Sequence, residues 1–180
     1  LDQDPIEIIR AEARLRATGC PQEALLVRRM NFAGLRRALD EAGWVDGADV
    51  LLADLGLSSM QIDNPARGFT FKQDGPLDMR MNPQRGVSAR ELMSRIRAEK
   101  LSTLLKENAD EPRAVLLAEA LAGRDYNGTK ALAQAIREAL PVRVPDDEKE
   151  LTVRRVFQAI RIEVNEEFTA LDTLLRQLPG

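Results

Sequence analysis

The sequence predicts an α/β fold with a partial parallel sheet and an inserted all-helical subdomain. Three observations lead to this prediction. Strand-like and helix-like segments alternate over residues 1–55, no strand signal occurs in residues 86–140, and an amphipathic helical pattern runs on from Thr152. We therefore expect residues 1–85 and 141–180 to form the core and residues 86–140 to form the insertion.

The first part of the predicted core begins at the end of a strand and passes into a helix. Asp4 followed by Pro5 is typical of a helix start, and Gly19 is typical of a helix stop. The apolar run at residues 24–27 predicts the next strand, and a second helix is expected from Asn31 to Gly43. This alternation is typical of a parallel sheet.

The segment DVLLAD at residues 49–54 reads as a further buried strand, followed by an unusually long connection. Connections of this length are uncommon in compact domains and are either functional or disordered. Disordered segments lack large apolar residues, whereas this one contains Phe69, Phe71 and Met79. We therefore expect an ordered, functional loop.

Helical signals dominate the second half of the chain. Ser88 and Glu91 have the spacing of a capping box, and further helices are expected at 112–121 and 129–141. Residues 142–150 are polar and predict a linker. The pattern after Thr152 predicts one long helix or two in series, and Pro179-Gly180 predicts a turn into a further strand.

Composition excludes several kinds of chemistry. The sequence has no histidine, which removes His-based acid–base catalysis, Ser-His-Asp triads and His-bearing zinc sites. The net charge of −3 gives no global attraction to nucleic acid, so such binding requires a local patch. The single cysteine suits a reducing cytoplasm, and we expect a cytoplasmic protein without a membrane span or a signal peptide.

Two carboxylates stand at predicted strand ends, where α/β folds of the nucleotide-binding type meet their ligands. Asp2 could hold a ribose hydroxyl or help Asp4 cap the helix, and Asp54 could line a ligand or belong to an ordinary turn. Phe32 could flank an adenine or belong to the core. Gln61 can donate and accept hydrogen bonds, but alone it indicates nothing.

Basic residues alternate with aromatic ones in the long loop. Arg67, Lys72 and Arg80 with Phe69 between them suit contacts to phosphates and stacking on bases. The alternative is a loop that pairs with itself through Asp74 and Asp78. For Arg154, Arg155 and Arg161 the default interpretation is a solvated helix face.

The stretch DLGLSSMQIDNPARGFTFKQDGPLDMRMN strongly resembles the signature of the RsmH (MraW) family. The segments RRVFQAIRIEVNEEF and LDQDP resemble two further motifs of that family, so the resemblance covers almost the whole chain. It implies a Rossmann-like class I methyltransferase core and S-adenosylmethionine-dependent methylation of the exocyclic N4 of a cytosine in small-subunit (16S) rRNA. The implied partner is that rRNA or the 30S subunit, with no metal; the oligomeric state is left open.

Carried across by motif position, Asp2, Phe32, Asp54 and Gln61 are implied to bind the cofactor. Asp54 is also our candidate for the catalytic acceptor, and residues 86–140 resemble the substrate-recognition subdomain. Candidate contacts to the RNA are the basic and aromatic residues Arg67, Phe69, Lys72, Arg80 and Arg161.

The chain departs from the family pattern at three places. The family's glycine-rich motif would lie before Leu1 and its Ser-Phe-His-Ser motif after Gly180, and Leu151-Thr152-Val153 replaces the usual His-Pro-Ala-Thr. We therefore expect a fragment or trimmed chain. The alternative functions are a truncated or degenerate homologue that binds RNA or the ribosome without catalysis, and a dinucleotide-dependent oxidoreductase, which is disfavoured because no G-x-G-x-x-G follows a strand.

Overall fold

A computed structural model describes residues 1–178, and over that range the protein consists of helices, turns and irregular segments. The chain divides into two compact units, one formed by residues 1–55 with the segment from Glu166 onward, the other by Gly56–Asn165. The α-helices are α1 (Glu7–Ala17), α2 (Leu35–Ala42), α3 (Ser59–Ile62), α4 (Ala89–Arg95), α5 (Ala98–Ala109), α6 (Ala114–Leu121), α7 (Thr129–Ala139), α8 (Asp146–Val164) and α9 (Glu167–Leu175).

The predicted Rossmann-like core with a partial parallel sheet is wrong for the described residues, which contain no sheet. One isolated parallel bridge, between Asp2 and Arg29, joins two of the expected strand ends. A strand obtains its hydrogen bonds from a neighbouring strand, and residues 49–54 form no ladder within 1–178. Val50 and Leu52 are accordingly 82% and 89% exposed, although their pattern predicts burial. The expected turn at Pro179-Gly180 lies outside the described residues.

Local signals set the helices of the first unit. The Asp4 carboxylate accepts hydrogen bonds from the backbone N–H groups of Ile6 at 2.9 Å and Glu7 at 3.3 Å, which confirms the predicted start of α1. The stop at Gly43 is also confirmed, because this residue ends α2 in the left-handed conformation with φ 72°.

The second unit is a helical bundle with its own hydrophobic core. Helix α5 packs against α6 and α8, α7 also packs against α6 and α8, and α4 packs on α8. Since the buried residues recur every three or four positions, each helix buries one stripe. Fully buried members of this core are Leu101, Leu105, Leu117, Leu121, Leu132, Ile136, Val153 and Ile160.

Helix α8 begins earlier than the sequence pattern predicts. The expected linker at 142–150 is wrong in its second half, because α8 starts at Asp146 with three acidic residues in its first turn. Negative charge there is favoured by the helix dipole. The pattern after Thr152 resolves into two helices in series, separated where Glu166 has φ 51°. No helix within residues 1–178 has the length and apolar character needed to cross a membrane.

Candidate functional site

Asp2 and Phe32 lie at one edge of the first unit. Asp2 is exposed, and one of its carboxylate oxygens accepts the backbone N–H of Asp4 at 2.8 Å. The bridge to Arg29 brings the two segments together, and Asn31 Nδ2 donates to Gln3 Oε1 at 3.3 Å beside it. These contacts bring the segment that carries the exposed Asp2 next to the segment that leads into the half-buried Phe32.

Asp54 and Gln61 belong to different units. Asp54 is exposed in the irregular segment that replaces the expected strand. Gln61 is buried in the short helix α3, where its Oε1 accepts the backbone N–H of Ser58 at 2.9 Å and the Ser58 hydroxyl accepts the Gln61 N–H at 3.3 Å. This reciprocal capping box gives Gln61 a local structural role.

The long loop is ordered by a buried arginine. Arg67 is only 7% exposed, and its Nη2 donates to the carbonyl oxygens of Arg80 at 3.1 Å and Met81 at 2.9 Å. The Arg67 carbonyl accepts the backbone N–H of Met79 at 3.1 Å. Arg67 thus ties the beginning of the loop to its end, and its guanidinium is directed at backbone carbonyls.

Two glycines allow the loop to fold closely upon itself. A Cβ on Gly75 would lie 2.0 Å from the Pro65 carbonyl oxygen, and one on Gly68 would lie 2.3 Å from the Pro76 carbonyl oxygen. Gly68 also has φ 75°, a conformation that L side chains adopt rarely. Both positions therefore require glycine for a physical reason.

The tip of the loop docks on the N-terminus of α7. The Asp74 carboxylate accepts the backbone N–H of Lys130 at 3.1 Å, and the Gly75 carbonyl accepts that of Thr129 at 2.9 Å. The Thr129 hydroxyl donates to the Gln73 carbonyl at 3.3 Å. A carboxylate at this position satisfies the free N–H groups of the helix and its dipole.

Asp78 and Arg80 form a bidentate ion pair within the same loop. Arg80 Nε and Nη2 donate to the two carboxylate oxygens of Asp78 at 2.8 and 2.7 Å, and the Arg80 backbone N–H adds a third bond at 3.0 Å. Burial alone would raise the pKa of Asp78, but the hydrogen bonds and charge of Arg80 outweigh it and lower that pKa. The predicted alternative of a loop that pairs with itself is thus present at Asp78.

Asn165 also contacts the long loop, and the sequence pattern does not predict this contact. It caps the end of α8 and donates from Nδ2 to the carbonyls of Arg161 at 2.9 Å and Met79 at 2.8 Å. Its Oδ1 accepts the backbone N–H of Met81 at 2.7 Å. An asparagine at the end of an apolar helical repeat indicates a helix end, but nothing in the pattern indicates the loop as its partner.

The remaining predicted RNA contacts differ in their exposure. Lys72 is exposed, whereas Phe69 and Arg161 are partly buried. Phe69 packs against the core with the Arg67 guanidinium 5.7 Å from its ring centroid. Phe71 makes an edge-to-face contact with Phe157 at 5.0 Å. That these residues contact RNA stays a prediction.

Comparison with known proteins shows that this loop and its supporting helices belong to a protein of the methyltransferase class. The model of the MraW methylase family matches residues 1–180. The chain therefore belongs to the MraW methylase family, as its motifs indicate.

Curated relatives agree with this assignment. The chain is 42% identical to "Ribosomal RNA small subunit methyltransferase H 1" of Lachnoclostridium phytofermentans over 100% of this chain and 50% of the relative. It is 42% identical to "Ribosomal RNA small subunit methyltransferase H 2" of Alkaliphilus metalliredigens (100% and 53%) and 43% identical to a counterpart of Agathobacter rectalis (99% and 53%). The chain thus spans about half the length of these relatives.

Proposed function

We propose that the protein methylates the exocyclic N4 of a cytosine in 16S rRNA, using S-adenosylmethionine. The observation that carries this proposal is the family match over residues 1–180, together with relatives named as small-subunit rRNA methyltransferases. The proposed substrate is the rRNA or the 30S subunit, and the proposed location is the cytoplasm.

The edge formed by Asp2 and Phe32 fits the adenosine part of the cofactor. A carboxylate open to solvent can accept two ribose hydroxyls, and a half-buried aromatic ring offers a face to an adenine. Asp54 in the first unit and Gln61 in the second are each proposed, separately, as contacts to the cofactor. S-adenosylmethionine supplies an electrophilic methyl group when bound, so the chain has to supply orientation and a proton acceptor.

Asp54 is our candidate for that acceptor. The lone pair on N4 of cytosine is delocalised into the ring, so a carboxylate that accepts an N4–H hydrogen bond would localise it and stabilise developing positive charge. Asp54 is exposed and can approach a base that lies outside a duplex. The absence of histidine is compatible with this role, because a weak acceptor suffices.

The loop of the second unit is the proposed surface for RNA. It presents Lys72 and Arg80 on an ordered backbone, with Phe69 and Arg67 beneath. Arg161 on α8 is the fifth proposed contact. Phosphate contacts of this kind position the RNA, whereas contacts to base edges specify the sequence.

Transfer of tritium from methyl-labelled S-adenosylmethionine to purified 16S rRNA tests this function. The proposal predicts incorporation into 16S rRNA and none into large-subunit rRNA under the same conditions. Equal labelling of both RNAs, or of neither, would contradict it.

A second function is favoured by the independent core of the helical unit Gly56–Asn165. Such a unit could bind RNA or the ribosome without catalysis. Calorimetry separates the two functions: heat on titration with S-adenosylmethionine supports the enzyme, whereas rRNA binding without such heat supports the binding module.

A further inference from the structure

We propose that Asn165 is a positioning residue that fixes the Arg80 guanidinium for contact with a phosphate of the RNA. This inference rests on the proposed function. Asn165 lies at the end of α8 and acts on Arg80 through the loop backbone.

Asn165 holds the residues on either side of Arg80. Its amide accepts from Met81 N–H at 2.7 Å and donates to the Met79 carbonyl at 2.8 Å, so both neighbours of Arg80 are tied to α8 by one side chain. Met79 and Met81 are also buried, at 1% and 8% exposure. Between them, Arg80 is the one residue of this tripeptide whose side chain is not buried.

The backbone at this point is strained as well as held. Met79 has φ 60°, a left-handed conformation that residues other than glycine rarely adopt. Arg67 also holds this segment, through hydrogen bonds to the carbonyls of Arg80 and Met81. Strain that is maintained by a buried arginine and a half-buried asparagine is typical of sites where geometry matters for binding.

The Arg80 guanidinium retains donors for a ligand. A guanidinium carries five N–H groups. Arg80 directs one from Nε and one from Nη2 at Asp78, and one from Nη1 at the Gly86 carbonyl at 3.4 Å. One N–H on each Nη remains, and this pair has the spacing with which arginine binds a phosphate through two parallel hydrogen bonds.

A phosphate is the ligand that this arrangement favours. Asp78 fixes the plane of the guanidinium and therefore the direction of its two remaining N–H groups. An anion with several acceptor oxygens can accept from both of these N–H groups. A single RNA strand supplies such anions at regular spacing, so we name an RNA phosphate as the ligand.

A double-mutant cycle tests this coupling. The probe is fluorescein-labelled 16S rRNA, and its dissociation constant for the full chain is measured by anisotropy over a range of salt concentrations. Arg80→Gln should weaken binding about tenfold, the loss of one charge-assisted contact. It should also reduce the slope of log K against log salt by about 0.7.

Asn165→Ala should weaken binding by about threefold to tenfold in the unsubstituted chain and by less than twofold in the Arg80→Gln background. The control is Thr173→Ala. Thr173 also donates to a helix carbonyl, that of Thr169 at 2.8 Å, and it lies outside both the loop and residues 86–140, so its replacement should leave RNA affinity unchanged. If Asn165→Ala does not fold, as judged by circular dichroism, Asn165→Asp replaces it, since it keeps the acceptor for Met81 and loses both donors.

Equal losses from Asn165→Ala in both backgrounds would overturn the inference, because a general structural defect does not depend on Arg80. Absence of rRNA binding by the unsubstituted chain would also overturn it. Tritium transfer to 16S rRNA is measured in parallel. Transfer without coupling between the two residues contradicts this inference alone, and coupling without transfer contradicts the proposed methylation alone.

Discussion

Gly75 lies so close to Pro65 that a Cβ on the glycine would stand 2.0 Å from the proline carbonyl oxygen. The contact joins the first turn of the long loop to its tip, where the Gly75 carbonyl accepts a hydrogen bond from the start of α7. A backbone atom cannot move aside as a flexible side chain can. The loop and α7 are therefore coupled through a position that tolerates no side chain.

Gly75→Ala should lower the free energy of unfolding by about 1–3 kcal/mol, the usual cost of overpacking. Urea denaturation followed by circular dichroism measures it. Gly86→Ala is the control, because a Cβ there meets nothing within 4 Å and the cost should be only the strain of φ 75°. If Gly75→Ala is no more destabilising than Gly86→Ala, the close approach is not present in solution.

Arg67→Ala should destabilise the protein by about 2–4 kcal/mol, since it leaves the carbonyls of Arg80 and Met81 without a charged donor in a buried place. Arg95→Ala is the comparison, because Arg95 pairs with Glu91 on an exposed helix face and should contribute less than about 0.5 kcal/mol. Similar unfolding midpoints for the two variants would show that Arg67 does not support the loop.

Stability should fall in acid partly through Asp78. Its pKa in the folded protein lies below the ordinary value of 3.8 because hydrogen bonds from Arg80 outweigh burial. A group with a lowered pKa stabilises the fold above its ordinary pKa, and this contribution disappears as pH falls through the folded-state pKa. Asp78→Asn should therefore reduce the free energy of unfolding at pH 7 and make it depend less on pH below about 4. Parallel pH profiles for the two proteins would contradict the shift.

Asp54→Ala should reduce methyl transfer at least tenfold, because N4 of cytosine would lose its proposed hydrogen-bond acceptor. Transfer is measured at saturating cofactor, so that a loss of cofactor affinity does not imitate a loss of catalysis. Asp49→Ala, at another exposed aspartate of the same segment, is the control and should retain activity. Unchanged turnover by Asp54→Ala would show that Asp54 is not the hydrogen-bond acceptor for N4.

Signals within a few residues predicted the helices well. Asp4, Gly19 and Gly43 mark helix ends by their own side chains or conformations, and the structure has helix ends at these places. The sheet failed because its hydrogen bonds depend on partners elsewhere in the chain. An apolar run such as residues 49–54 fixes a preference for extended structure, but it cannot supply a neighbouring strand.

In the long loop, too, contacts with residues distant in the chain could not be predicted. Its glycines, phenylalanines and charges indicated an ordered segment, and the ion pair at Asp78 could be anticipated from its proximity to Arg80. The contact of Asn165 with Met79 spans 86 residues, and no local pattern encodes it. The burial of Arg67 could not be predicted either, because an arginine beside aromatic residues is equally compatible with an RNA-binding surface and with a buried structural role.

The identity of the modified nucleoside tests the central claim most directly. After reaction of 16S rRNA with the protein and S-adenosylmethionine, the RNA is digested to nucleosides and the methylated product is identified by liquid chromatography and mass spectrometry against synthetic standards. We expect the product to be N4-methylcytidine. A product that co-elutes with 5-methylcytidine, or with any methylated purine, would contradict it.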